Sequence, residues 1–155
     1  MHNTIYEITQ NPVNPNDWAD ESNFYEDSNV DYATLLTGKE RADAIEYLCN
    51  SRWFGCLFSR GKEPDTIIYN GNIEAVKDEW YQELQKKLQS LIEKRSCNTY
   101  GLREAINQPF AGYDLFCLPD WVGNSSCYPR DLLDLLDNIK PGSVLHINSV
   151  FDYHC

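Results

Sequence analysis

Between Ile73 and Leu91 the residues Ile73, Val76, Trp80, Leu84, Leu88 and Leu91 recur every three or four positions. That spacing lays a single apolar stripe along more than four turns of α-helix, and a stripe this long has to be covered by other elements. The charges around it agree with a helix. Glu74, Asp78 and Glu79 sit near the positive end of its dipole, Lys94 and Arg95 at the negative end, and Glu83 and Lys87 at i,i+4 spacing. A chain of 155 residues is the size of one domain, so the remaining elements share one core with this helix.

Thr4–Thr9 alternates Ile5 and Glu7 against Tyr6 and Ile8, the pattern of a half-buried strand. Thr37-Gly38-Lys39-Glu40 has the form of a capping box, and the helix it opens carries Ala42, Ile45, Leu48 and Cys49 on one face. Trp53–Ser59 and Thr66–Tyr69, separated by the turn Gly61–Asp65, read as a hairpin. Thr99–Asn107 forms a short helix before Pro109, and Tyr113–Leu118 a strand between Gly112 and Pro119. Pro129 starts a helix with the stripe Leu132, Leu135, Leu136 and Ile139, ended by Pro141-Gly142. Val144–Tyr153 alternates Leu145, Ile147, Phe151 and Tyr153 against His146, Asn148 and Asp152, as a strand covered on one face does. The expected fold is α+β: a mostly antiparallel sheet of about five strands with about three to four helices packed on one face. Residues 1–155 form one domain in this reading, with an acidic, loop-rich segment at about residues 10–36.

The net charge of −11 repels bare DNA, RNA and anionic membranes, which leaves a basic protein surface as the partner such a chain suits. The charge is uneven. Residues 1–38 hold Glu7, Asp17, Asp20, Glu21, Glu26, Asp27 and Asp31 with no Lys or Arg, whereas Lys39–Arg95 is balanced. Within the acidic stretch carboxylates interleave with aromatics, and the candidate partner-binding residues are Asp17, Trp18, Asp20, Glu21, Phe24, Tyr25, Glu26, Asp27, Asp31 and Tyr32. In a binding face the carboxylates steer a basic partner and the aromatics anchor it. In the competing reading the aromatics pin the loop to the protein's own core while the acids face water. Asp131, Asp134 and Asp137 either extend such a face or form the solvated side of the last helix.

The six cysteines form no C-x-x-C pair, and MHNTIYEITQNP lacks the basic and apolar regions of a secretory signal, which favours reduced thiols and a cytoplasmic location. No apolar run approaches the roughly 20 residues of a membrane helix. Donor spacing points to no metal and no cofactor: the sole adjacent pair of soft donors is His154-Cys155. A thiol–imidazole couple would have to pair His146 with Cys56, Cys117 or Cys127, and no local signature selects one. Glycine-rich phosphate loops, G-x-S-x-G and H-E-x-x-H are absent, so nothing at motif level argues for an enzyme. A polar pocket joining His146 to a carboxylate or thiol would favour a small hydrolase or transferase.

The stretch IYEITQNPVNPNDWADESNFYEDSNVDY, residues 5–32, resembles the start of small acidic accessory proteins of bacterial conjugative elements and prophages, whose genes neighbour antirestriction genes. The resemblance implies a context of host-defence evasion. Joined to the charge asymmetry, it leads to the expectation of an acidic inhibitor that mimics DNA on a basic nucleic-acid-processing enzyme. An immunity-type protein neutralising a basic toxin is the alternative within the same class.

Overall fold

The computed structural model describes residues 2–24, 32–52, 54–95, 97–107, 115–117 and 129–154. In chain order the elements are β1 (His2–Thr9), β2 (Tyr32–Leu35), α1 (Gly38–Asn50), β3 (Phe58–Arg60), β4 (Thr66–Tyr69), α2 (Ile73–Glu93), α3 (Thr99–Asn107), β5 (Leu115–Cys117), α4 (Pro129–Leu136) and β6 (Val144–His154). Two 3-10 turns, Pro15–Asp17 and Glu21–Phe24, lie between β1 and β2.

The fold is α+β. One sheet runs β3-β4-β6-β1-β5, with β2 beside β6, and every pairing is antiparallel except β1 with β5. The added strand relative to expectation is β2, four residues with the burial of a sheet margin. β6 has β1 along one edge; its other edge is shared by β4, at Val144–His146, and β2, at Phe151–His154.

The helices gather on one face, as expected. Ile45 and Leu48 of α1, Ile73 and Val76 of α2, and Leu132, Leu133 and Leu136 of α4 cover Tyr6, Ile8, Ile67, Leu145, Ile147 and Val150. The Tyr6 hydroxyl, inside this layer, donates to the Ala44 carbonyl at 2.9 Å and fixes α1 over β1. Only the first turns of α2 reach this core. Leu84, Leu88 and Leu91 are half-buried, Tyr81 and Ile92 are exposed, and α3 lies along this part of the helix. Gly71, at φ 97, turns the chain from β4 into α2, and a Cβ there would lie 2.7 Å from Pro141 Cγ. Left-handed backbone and close approach together restrict the position to glycine.

Three local expectations change. Thr37 precedes α1 but makes no side-chain capping bond; the chain enters through Gly38 at φ 52. β1 is buried on both faces, because a layer opposite the helices covers Ile5 together with Ala19, Phe24, Ala33, Phe151 and Tyr153. The third change is in β6. Tyr6 pairs with Val150, but Ile8 pairs with Ile147, so Asn148 and Ser149 both stand opposite Glu7. This β-bulge reverses the alternation halfway along the strand. Leu145 and Ile147 join Val150 under the helices, while Phe151 and Tyr153 turn to the opposite layer.

A bulge leaves ladder groups unpaired, and here a side chain takes them up. Glu7 is 1 % exposed; its Oε2 accepts from the Ser149 backbone N–H at 3.1 Å and from the Ala19 backbone N–H at 3.0 Å. Ser149 Oγ donates in turn to the Ala19 carbonyl at 2.6 Å. The carboxylate therefore binds the bulge and the acidic segment at one point. Glu7→Ala leaves two buried N–H groups unpaired and is expected to lower stability by about 2–5 kcal/mol, while Glu7→Gln, which keeps one acceptor oxygen, costs about 1–2 kcal/mol. Urea midpoints at constant m-value measure both; equal losses for the two variants would contradict this role.

Candidate binding face and cleft

The acidic segment is fixed by its own side chains. Asn14 Oδ1 accepts from the Asn16 N–H at 3.0 Å, and the Trp18 indole N–H donates to the Val13 carbonyl at 3.1 Å, which closes the loop around the first 3-10 turn. Phe24 is 5 % exposed and meets Phe151 edge to face at 4.9 Å. Phe24 is thus a core residue and is not available as an anchor for a partner. Trp18 is half-buried, with the Arg41 guanidinium carbon 5.8 Å from its ring centroid.

The carboxylates face outward. Asp17, Asp20 and Glu21 are exposed, and Tyr32 at the start of β2 is 42 % exposed. Tyr25, Glu26, Asp27 and Asp31 lie outside the described residues. Two of the exposed acids also build local structure. Asp20 Oδ1 accepts from Ser22 Oγ at 2.5 Å and from its N–H at 2.8 Å, and Glu21 Oε1 accepts from the Leu35 N–H at 3.0 Å. Because the next N–H, of Leu36, points to β6, the Leu35 N–H points out of the sheet, and Glu21 covers it. The hydroxyl of Ser22, then its N–H, hold the Asp20 carboxyl below its ordinary 3.8. The acidic stripe of α4 is partly spoken for, since Asp137, just beyond the helix, takes the Lys77 ammonium of α2 at 2.5 and 2.6 Å.

The two strands sharing one edge of β6 leave a gap, and Arg41 fills it. The Asp65 carbonyl accepts from the Ile147 N–H, and the Val150 carbonyl from the Leu36 N–H, each at 2.8 Å. Between these, Arg41 Nη2 donates to the Ile147 and Asn148 carbonyls, both at 2.7 Å, and Nη1 pairs with Asp65 Oδ1. The guanidinium, from the first turns of α1, thus completes the ladder where neither strand reaches.

Beside it, on the face of the acidic segment, a cleft of about 250 Å³ is lined by Pro12, Val13, Trp18, Glu63, Pro64, Asp65, Thr66, His146, Ile147 and Asn148. His146 is half-buried here between Thr9 and Thr66, its cross-strand neighbours. His146 shares this lining with Glu63 and Asp65, and among the described residues no cysteine takes part in it. Cys56, elsewhere, is no partner for it. Cys117's side chain and Cys127 are outside the described residues, as are Cys155 and the side chain of His154. Partial burial pushes the Cys49 and Cys56 thiols above their ordinary value, the opposite of what an activated nucleophile needs. Among the described residues no group of three or more His, Cys, Asp or Glu could hold a metal ion, and no helix is long and apolar enough to cross a membrane.

Sequence reasoning passed over Arg41, Glu63, Asp65 and Asn148. Glu63-Pro64-Asp65 carries the signature of a turn, and Asn148 alternates with apolar residues as a solvent-facing position does. Nothing in the local pattern shows that the acidic segment folds over them.

Arg41→Lys keeps the charge but loses the fork that spans two carbonyls and a carboxylate, so a loss of about 2–3 kcal/mol is expected, read from thermal and urea unfolding. For Asp20 the folded pKa is depressed, so its contribution is present above about 3.8 and is lost as pH falls through the lower folded value. The Asp20 carboxyl carbon, followed by NMR, should titrate below 3.8; a midpoint at or above that value would contradict the Ser22 bonds. Compared with known proteins, the chain matches no family model, no curated protein and no solved structure, so function is read from the residues themselves.

Proposed function

We propose that the protein acts by binding, as an acidic inhibitor that covers a basic surface of a nucleic-acid-processing enzyme, its carboxylates standing in for phosphates. The observation that carries this reading is the exposure of Asp17, Asp20 and Glu21 on a backbone pinned from beneath by Glu7, Ser149 and Phe24. Carboxylates held on a fixed backbone lose little freedom on association, and their field speeds encounter with a cationic partner. Of the aromatics in this reading, Trp18 and Tyr32 keep exposed surface.

The cleft lined by His146, Glu63 and Asp65 favours a second reading, a small hydrolase or transferase. At about 250 Å³ it falls short of the roughly 300–1,000 Å³ usual for substrate pockets, and Arg41 already pairs with Asp65, which leaves the binding reading ahead.

The test uses Asp17→Asn, Asp20→Asn and Glu21→Gln together. These amides keep the acceptor oxygens that Ser22 and Leu35 use and remove only charge. With wild type and variant as baits in lysate of the encoding cell, the reading expects a DNA-binding protein that wild type retains, duplex DNA displaces, and the variant holds at least about tenfold more weakly with a shallower salt dependence. Equal retention and equal salt slope for the two baits would overturn it.

A further inference from the structure

Beyond Trp80, α2 sends no described side chain into the core, and neither does α3; the two helices lie against each other as an arm. Among the described residues the two most exposed large apolar side chains, Ile92 at 68 % and Tyr100 at 67 %, both stand at the tip of this arm. Lys94 and Arg95 lie between them in sequence, and Arg103 follows one turn on in α3. All three cations are exposed, and none pairs with a carboxylate among the described residues. Arg95 also holds φ 48, the left-handed conformation that helix ends usually give to glycine. An arginine kept where glycine would relieve the backbone is an outlier for which local folding gives no reason.

A surface of this kind suits an occupant that is both apolar and acidic. From Tyr81 to Asn107 five bases face three acids, the reverse of a chain whose net charge is −11. The chain itself supplies the complement. Its first 38 residues carry seven acids and no base, with Asp17, Asp20 and Glu21 exposed. Glu21 is bonded to the Leu35 N–H, and Tyr32 and Leu35 of that strand are each 42 % exposed. Each surface thus sets apolar side chains among charges of one sign, and the two signs are opposite. Both are exposed in the same molecule, so a contact that joins them runs between molecules. The net charge of each copy does not forbid it: at physiological salt, charges more than about 8 Å apart are largely screened, while touching pairs keep their attraction.

We propose that the tip of the α2–α3 arm is a docking site for a second copy of this chain, whose acidic segment seats on it head to tail. Ile92 and Tyr100 supply the apolar part of the contact, and Lys94, Arg95 and Arg103 meet the carboxylates of the other copy. The contact stands on the arm; only its consequence rests on the binding function above. That consequence is regulation, because the acidic face that covers a basic enzyme is held in reserve by self-contact until a more strongly basic surface displaces it.

Sedimentation velocity of the full chain, from about 1 µM to about 500 µM, reads the contact. At about 0.15 M salt the weight-average mass is expected to climb with concentration from the 18.0 kDa of one chain, and the association constant to fall about threefold or more at about 1 M. The acid variant Asp17→Asn, Asp20→Asn, Glu21→Gln and the arm variant Ile92→Gln, Arg95→Gln, Arg103→Gln are each expected to self-associate at least about tenfold more weakly. Mixed in equal amounts they should form a 1:1 pair with wild-type affinity that grows no further, because each copy keeps one working face; this recovery also shows that both variants are folded. A wild type that stays monomeric throughout, undiminished association of either variant alone, or a mixture that stays monomeric would each overturn the proposal. The two ideas fail separately. If the wild type is monomeric while the acid variant releases the DNA-binding protein captured from lysate, the self-contact falls alone; if the mixture pairs as expected and both baits retain that protein equally, the inhibitor reading falls and the self-contact stands.

Discussion

One buried carboxylate, that of Glu7, joins three parts of the chain at a single point. It sits on a central strand, accepts from the extra residue of a bulge in β6, and accepts from Ala19 in the acidic segment. Each of those N–H groups would otherwise be a buried donor without a partner, which is why a charged residue is tolerated at 1 % exposure. The position of Ala19 then sets the positions of Trp18 and Phe24, and so the direction in which Asp17, Asp20 and Glu21 point. The charge of the surface is thus organised by a charge in the interior.

β6 is the second point on which the structure turns. It serves three neighbouring strands and changes faces midway, so it belongs to the helical core at one end and to the opposite layer at the other. The seam between β4 and β2 is where the ladder would lapse, and Arg41 closes it. The cleft lies against that seam: Asp65, Ile147 and Asn148 are both seam and lining. Ladder repair and cleft lining thus share residues, which couples the shape of the cleft to the docking of α1.

The elements of this fold were largely legible in the sequence, because periodicity reports which face of a helix or strand is apolar. The helix from Ile73, the helix at Thr99–Asn107 and the strand Thr66–Tyr69 stand where their patterns place them, whereas the first strand of the hairpin, expected at Trp53–Ser59, is only Phe58–Arg60, because residues 54–57 form turns. Periodicity fails where one residue breaks the count. Leu145, Ile147, Phe151 and Tyr153 keep strict alternation in sequence, yet the bulge at Asn148-Ser149 sends the last two to the other face. Glu7 was misread for a related reason: a polar residue alternating in a strand looks solvent-facing unless something covers it, and the covering segment contains Asn, Pro and Asp in loop-like composition. For the candidate site, the charge asymmetry marked the right stretch and the exposed acids within it. It could not separate Phe24, which serves the core, from Trp18, which borders the cleft, since both are aromatics among acids.

The pairing of β1 with β6 has a consequence for synthesis. Glu7 and Ser149 are 142 residues apart, and β5, the other neighbour of β1, is also made late. As the chain leaves the ribosome, β1 therefore emerges before its two neighbours and waits for β5 and β6 to follow, an interval on the order of 10 s at elongation rates of roughly 5–20 residues per second. Over that time an apolar strand carrying Ile5, Tyr6 and Ile8 lacks both of its sheet neighbours among the described residues, and, although the β3–β4 hairpin can form early, β1 joins the sheet late, through contacts of high sequence separation. The glutamate in its middle is then charged and hydrated, and so works as a gatekeeper against premature strand pairing before it becomes the buried joint of the finished fold.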